Sequence, residues 1–314
     1  RDLPREQRTL GAVFERSWRL LPLEGQLLLA KLSIFPGSFG REAAEDIAGA
    51  TSALLRPLLD QSLLNKVGDE RYAMHRTVHA FAQQKLQQLP EQRAALYVQY
   101  AHFYLEFLAR LEQEQTAAAY ATAMEQIQAD LDNVRTAWRW SVDQGNLALL
   151  EISVGSLQDF YQTAGMYPEA IQLLEGALTT VRHAIARAPG VMQPQRLLAR
   201  LLCYTAQFYR LYPQSGEVKK GETWANEALA LGCSLADPAL QGSAYHELAR
   251  IAQARHDYAA MRPLSEQACT YARQANLPQL TAESLNDLGI ALTMTTHPLA
   301  GIPHFHEALD LSLI

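Results

Sequence analysis

The sequence predicts a mainly α-helical protein in two unlike halves: a winged-helix block with a small β-hairpin, then an α-solenoid of helical hairpins. Three observations carry this. Apolar residues recur at helical spacing before a short alternating stretch around Gly68-Asp69. The middle of the chain carries apolar and aromatic stripes with helical period and no strand alternation. From Leu147 onward, small residues return at fixed intervals, as they do where helical hairpins stack.

Taken in order, Phe14, Trp18 and Leu21 share one helical face, and Leu27 to Phe35 continue as a second apolar helix that stops at Pro36-Gly37. Residues 41–49 and Ser52 to Leu59 read as two further short helices. Leu63 to Val67 and Arg71 to Met74 then alternate about Gly68-Asp69 as a hairpin. Helices followed by a hairpin wing assign residues 1–89 to a winged-helix domain. Residues 90–146 form a helical connector, with two long helices expected over 91–145. Tyr97, Tyr100, Tyr104, Phe107, Leu108 and Leu111 make the stripe of the first, which reads as core and not as a cofactor box. Ile127, Leu131, Val134, Trp138 and Val142 line the second, and Gly145-Asn146 closes it.

Residues 147–314 carry the repeat. Ala170 and Ala177, Gly221 and Ala228, and Gly301 and Ala308 each lie seven apart, and His256-Asp257-Tyr258 precedes Ala268. Ala228, Ala268 and Ala308 are spaced by 40, and Asp237-Pro238 and Leu277-Pro278 punctuate at the same interval. Small residues on one face let antiparallel helices approach closely. An insertion is expected around Tyr212 to Glu217. The chain starts at Arg1 without methionine and stops inside an apparent helix at Leu311-Ser312-Leu313-Ile314, so it is read as a piece of a longer protein.

Composition narrows the function. At 314 residues with 48% hydrophobic and 19% charged side chains, the chain is long enough for two domains with buried cores. A net charge of -6 argues against a basic nucleic-acid surface. The helix over Thr51 to Gln61 offers only Arg56, balanced by Asp60, so a packing role is favoured over direct contact with DNA. Cys203, Cys233 and Cys269 are scattered and odd in number, which suits buried thiols in a reducing, cytoplasmic setting. No run is apolar for the roughly 18 residues of a membrane span.

Motifs for chemistry are missing or incomplete. Gly216-Glu-Val-Lys-Lys-Gly221-Glu222-Thr223 nearly spells a phosphate loop, but Glu222 stands where the lysine must reach the phosphates. His75 and His79 are four apart without the further ligands zinc requires, and His246, His304 and His306 lie in no metal-binding spacing. No serine elbow is present. The chain is therefore not expected to be an enzyme or to hold a metal or cofactor of its own.

Two resemblances refine the reading. Phe14-Glu-Arg-Ser17-Trp18, Leu32-Ser33-Ile34-Phe35-Pro36-Gly37-Ser38-Phe39, Ser62-Leu63-Leu64 and Tyr72-Ala73-Met74-His75 resemble, as an ordered set over Thr9 to Leu86, the winged-helix domain of signal-transduction ATPases with numerous domains. That family, abbreviated STAND, includes maltose-regulator and antibiotic-regulator types. Asp130-Leu131-Asp132-Asn133-Val134-Arg135 with Trp138 resembles the helix that follows in its bacterial members. The resemblance implies a nucleotide-binding domain ahead of Arg1, autoinhibition through the winged helix, and ATP or ADP bound by the parent protein. His75 would then touch the nucleotide phosphate, although Arg76 replaces the aspartate of the family's Met-His-Asp motif. Leu157 and Tyr161, Tyr245, Leu248 and Ala249, and Leu285, Leu288 and Gly289 resemble tetratricopeptide repeats, at a period longer than usual.

That second resemblance implies a concave groove lined by the first helix of each hairpin. Carried over by repeat position, the groove holds Arg200, Gln207 and Arg210, then His246, Arg250 and Gln253, then Glu283, Asn286 and Thr293. The occupant expected there is an inducer peptide, a partner protein or a small polar ligand. The alternative is a repeat scaffold for protein interaction without nucleotide control.

Overall fold

A computed structural model describes residues 14–68, 70–111, 117–215 and 218–312. Asp69 of the hairpin turn, Gly216 of the phosphate-loop near miss, Thr9 and the Leu313-Ile314 end lie outside the described residues. The chain divides into two compact units, Arg1–Leu157 and Gln158–Ile314, each treated in turn. Among the described residues no helix is long and apolar enough to cross a membrane.

The first unit opens with α1 (residues 14–20), α2 (Leu23–Leu32), β1 (Phe39–Gly40), α3 (Arg41–Ala48) and α4 (Ser52–Asp60). It continues with β2 (Asn65–Lys66), β3 (Arg71–Ala73) and α5 (Arg76–Gln87). The helices and the hairpin stand in the predicted order. The sequence did not suggest β1, whose Phe39 pairs with Tyr72 and makes a three-stranded antiparallel sheet in the order β1-β3-β2. Phe35 and Phe39 stack at 4.3 Å on either side of Pro36-Gly37, both fully buried, and Phe35 leans on Tyr100. Offset aromatic pairs add about 1 kcal/mol beyond their area.

Beyond Leu89 the expectation of two long helices is corrected to three: α6 (Pro90–Leu111), α7 (Ala117–Ala129) and α8 (Leu131–Gln144). The cause of the extra break is Asp130, whose backbone leaves the helical region at φ -110° and ψ 16° while its side chain is engaged elsewhere. Gly145 closes α8 at φ 66°, a left-handed cap that glycine adopts without steric cost.

The second unit begins within α9 (Leu147–Thr163) and runs through α10 (Tyr167–Arg187), α11 (Met192–Leu211), α12 (Val218–Ser234), α13 (Pro238–Ala254), α14 (Tyr258–Gln274), α15 (Pro278–Thr295) and α16 (Ile302–Ser312). From α10 onward each helix packs on the next. The first helices α11, α13 and α15 also touch in succession, the pattern of a helical solenoid.

The period follows from the turns. Ala236, His256 and Asn276 adopt left-handed conformations at φ 49°, 59° and 54°. In each case the next N–H reaches back to close the helix end, as Asp257 does to the Ala252 carbonyl at 3.0 Å. Asp237 and Asp257 then cap the helix that follows, so one residue ends a turn and starts a helix. Helices of 17 residues joined by three-residue turns give 20 per arm and 40 per hairpin.

Gly216 and Glu217, part of the stretch expected to carry an insertion, lie outside the described residues, but the register on either side of Tyr212 to Glu217 leaves no extra length there, contrary to expectation. The contacts Arg210 to Glu247 and Arg250 to Asp287 both span 37 residues, so the chain between them keeps the 40-residue register. What differs is the last turn of α11, replaced by a 3-10 turn over Pro213–Ser215, where proline supplies no N–H for an α-helical bond. The longer spacing lies earlier: Gln162 meets Gln207 across 45 residues because α10 and α11 run to 21 and 20 residues.

Candidate functional site

The Met74-His75-Arg76 stretch sits where β3 hands over to α5. His75 is the N-cap of α5, its Nδ1 2.8 Å from Thr77 Oγ1 and accepting the Thr77 N–H at 3.4 Å. The ring and the Arg76 side chain are exposed. With Nδ1 engaged locally, Nε2 is the nitrogen left for an outside acceptor. His79, one turn on, is half-buried, and among the described residues no group of three His, Cys, Asp or Glu is arranged to hold a metal ion.

Beside this junction lies a polar knot that ties together the three motifs of the first half. Arg71, the first residue of β3, donates from Nη1 to Asp130 Oδ2 at 3.0 Å and from Nη2 to Asp130 Oδ1 at 2.9 Å. The same Nη2 reaches the carbonyls of Ser38 at 3.1 Å and Ala129 at 3.0 Å. Asn133 Nδ2 donates to the Ser38 carbonyl at 2.9 Å and to Asp130 Oδ1 at 2.8 Å. Tyr100 donates to Asn133 Oδ1 at 3.0 Å from the facing side of α6. The bond to Asp130 raises the Arg71 pKa above its ordinary value, and burial drives the Tyr100 and Tyr104 hydroxyls well up from theirs. A network with this many charged and neutral partners specifies one geometry.

In the repeats, the residues assigned to the groove occupy the first helices as expected by position, and several are engaged by the neighbouring helix. Arg210 on α11 is bidentate to Glu247 on α13, at 2.7 and 3.2 Å, with side chains 10% and 6% exposed. Arg250 on α13 donates to Asp287 on α15 at 3.2 Å, and Asp287 is fully buried. His246 Nδ1 lies 3.2 Å from the other Asp287 oxygen, and its Nε2 lies 3.6 Å from Glu283. Gln207 bonds Gln162 at 2.7 Å and Gln158 at 3.2 Å. Arg200 sits over the Tyr204 ring at 6.0 Å. Thr293 turns back to its own helix at Gly289, Gln253 is half-buried, and Asn286 is exposed.

Sequence reasoning passed over Arg71, Ser38, Glu247 and Asp287. A signal existed for the last two, since Glu247 and Asp287 are 40 apart, as are Arg210 and Arg250. For Arg71 the signal was weaker: a cation opening a strand whose next residue, Tyr72, is core.

No family model matches the chain, and no curated protein matches it. Among solved structures it is similar to a signal-transduction ATPase with numerous domains (STAND) protein with a tetratricopeptide repeat sensor, from Pyrococcus horikoshii. The two superpose with a TM-score of 0.50 at 17% identity, over 100% of this chain and 47% of that one. The chain thus spans about half the length of that protein, and at this identity the likeness is one of fold.

Proposed function

We propose that this chain is the regulatory and sensor region of a STAND-type signalling ATPase or transcriptional regulator. Residues 1–89 act as its winged helix, 90–146 as a helical connector and 147–314 as tetratricopeptide-like sensor repeats. The observation that supports the reading is the pairing, in one chain, of a helix-and-hairpin block that exposes His75 at a strand-to-helix junction with a 40-residue solenoid of hairpins. The region does no chemistry itself. ATP or ADP belongs to a nucleotide domain elsewhere in the parent, and His75 Nε2 meets its phosphate, with the exposed Arg76 adding positive charge. The winged helix thereby favours the resting state, and an inducer peptide, partner protein or small polar ligand on the repeats favours the active one. A ligand shifts such an equilibrium only by its preference between the two states.

The test is ADP release from the full-length protein. A charge-assisted contact of about 1.5 to 3 kcal/mol means that His75→Ala speeds release roughly 10- to 150-fold. Unchanged release and unchanged basal signalling would refute the nucleotide role. For the repeats, Arg250→Ala and Asn286→Ala should weaken inducer binding while the outer-face control Glu266→Ala does not. Equal loss from all three removes the groove from the mechanism. The pairing of Arg210 and Arg250 within the fold favours a second reading, a scaffold in which these cations serve only structure. A full-length protein that retains no nucleotide on purification would decide for it.

A further inference from the structure

We propose that Arg71 is a positioning residue for His75, and that the knot around it makes the start of α8 and the β3-to-α5 junction a single moving part. Its consequence for nucleotide release rests on the role of His75 proposed above; the mechanical claim does not.

β3 is three residues long, with only two register pairs to each neighbour. A strand so short has little ladder with which to hold its own register. What fixes it is the Arg71 guanidinium, which binds both Asp130 oxygens and the carbonyls of Ser38 and Ala129. Asp130 in turn is the residue at which α7 breaks from α8. Its carboxylate makes no cap bond to α8 and goes instead to Arg71 and Asn133. The break between the helices and the placement of the strand are therefore conditions of each other. A displacement of α8 must either drag Arg71 or part a bidentate pair whose side chains are only 25% and 18% exposed. Three residues separate Arg71 from His75, and of these only Met74 lies outside the strand, leaving little slack between the guanidinium and the N-cap to absorb the motion. Lysine could not substitute, because a single ammonium lacks the fork that serves a carboxylate and two carbonyls at once.

The experiment uses Arg71→Lys and Asp130→Asn, with Arg41→Ala as a control that cuts the exposed Arg41–Glu45 pair of the same block. In the chain itself, the His75 imidazole ¹⁵N resonances and amide exchange over 71–77 are followed beside urea unfolding. Both knot variants should move the His75 resonances and speed exchange over 71–77 about tenfold, with exchange at Leu28 and Leu29 in α2 unchanged and the control silent. In the full-length protein they should release ADP about 5- to 100-fold faster, the range of ordinary coupling energies. Arg71→Lys combined with His75→Ala should release it no faster than His75→Ala alone. His75 resonances unmoved by either variant, or exchange raised uniformly through the block, would overturn the positioning role and leave the knot as structural glue. If His75→Ala itself leaves ADP release unchanged, the nucleotide reading fails while the resonance measurement still decides the mechanical claim.

Discussion

Arg210 and Glu247 allow a decision between a recognition strip and a structural joint. Both side chains are almost wholly withdrawn from water and meet through two bonds, the shorter 2.7 Å. The Cys203 thiol, pushed up to about 12 chiefly by burial and then by the Glu247 charge, marks the same dry environment. Removing one partner leaves the other charge buried and unpaired, so Arg210→Ala and Glu247→Ala should each cost about 3–5 kcal/mol. Replacing both by apolar residues of similar volume removes the unpaired charge. Arg210→Met with Glu247→Leu should therefore return most of the loss, with a coupling energy of at least about 2 kcal/mol in the double-mutant cycle. Urea unfolding gives the global figure, and amide exchange over α11 and α13 shows whether the loss is local to that joint, as nearest-neighbour stability in a solenoid requires. Single-variant losses below about 1 kcal/mol that simply add would refute the reasoning, because they would mean that the pair is solvated. Arg210 would then be free to meet a ligand.

The thiols should separate cleanly: in the native state Cys233 reacts with a disulfide reagent, while buried Cys203 and Cys269 do so only on unfolding. Burial pushes Cys269 up to about 11 and Cys203 up to about 12, so the folded state holds these protons more tightly than the unfolded chain. The stability this confers is complete below the ordinary thiol range near pH 8.5 and is lost as pH rises from there toward 11 to 12; the urea midpoint should fall between pH 8 and pH 10.5, and a midpoint that holds steady would contradict it. Ala236→Gly should stabilise by about 0.5–1 kcal/mol, since alanine pays for the left-handed turn conformation at φ 49° and glycine does not; a thermal melt reads it.

How much of this was legible in the sequence depends on range. Helix ends marked by local chemistry, such as the Gly145 cap and the Asp237-Pro238 start, could be placed because the signal lies within four residues. The small residues also kept their meaning: a Cβ on Gly221 would come within 3.1 Å of the Ala206 carbonyl and Tyr209 Cβ. Met261 stands, fully buried, at the equivalent place in the next hairpin, so the rule is close approach and not small size alone. The break at Asp130 could not be read locally. Nothing in Ala129-Asp130-Leu131 stops a helix, and the partner that diverts Asp130 lies 59 residues earlier. β1 escaped for the same reason, since two residues carry no alternation and exist as a strand only through Tyr72 and Arg71.

The ion pairs of the solenoid follow one construction that bears on where it can bend. Glu247 precedes Arg250 by three residues, so α13 presents an acid to the first helix of the preceding hairpin, α11, and a cation to the first helix of the following one, α15. α11 carries Arg210 in the cationic place but Gln207 in the acidic one, and Gln207 meets the amide of Gln162 in α9. α15 carries Asp287 in the acidic place, while Ile290 occupies the cationic one. Charge pairing thus joins α11 to α13 and α13 to α15, and neutral amides join α9 to α11. Both partners of Arg210–Glu247 are almost wholly buried and Asp287 is fully buried although Arg250 is 36% exposed, so a shift at either joint strands at least one buried charge, whereas amides exchange partners at lower cost. An inducer that alters the curvature of these repeats should therefore act first at the amide joint of α9 and α11. Exchange over 158–162 and 203–208 should respond to it before exchange over 246–250 or 283–287, and the opposite order would show that the charged joints are the ones that yield.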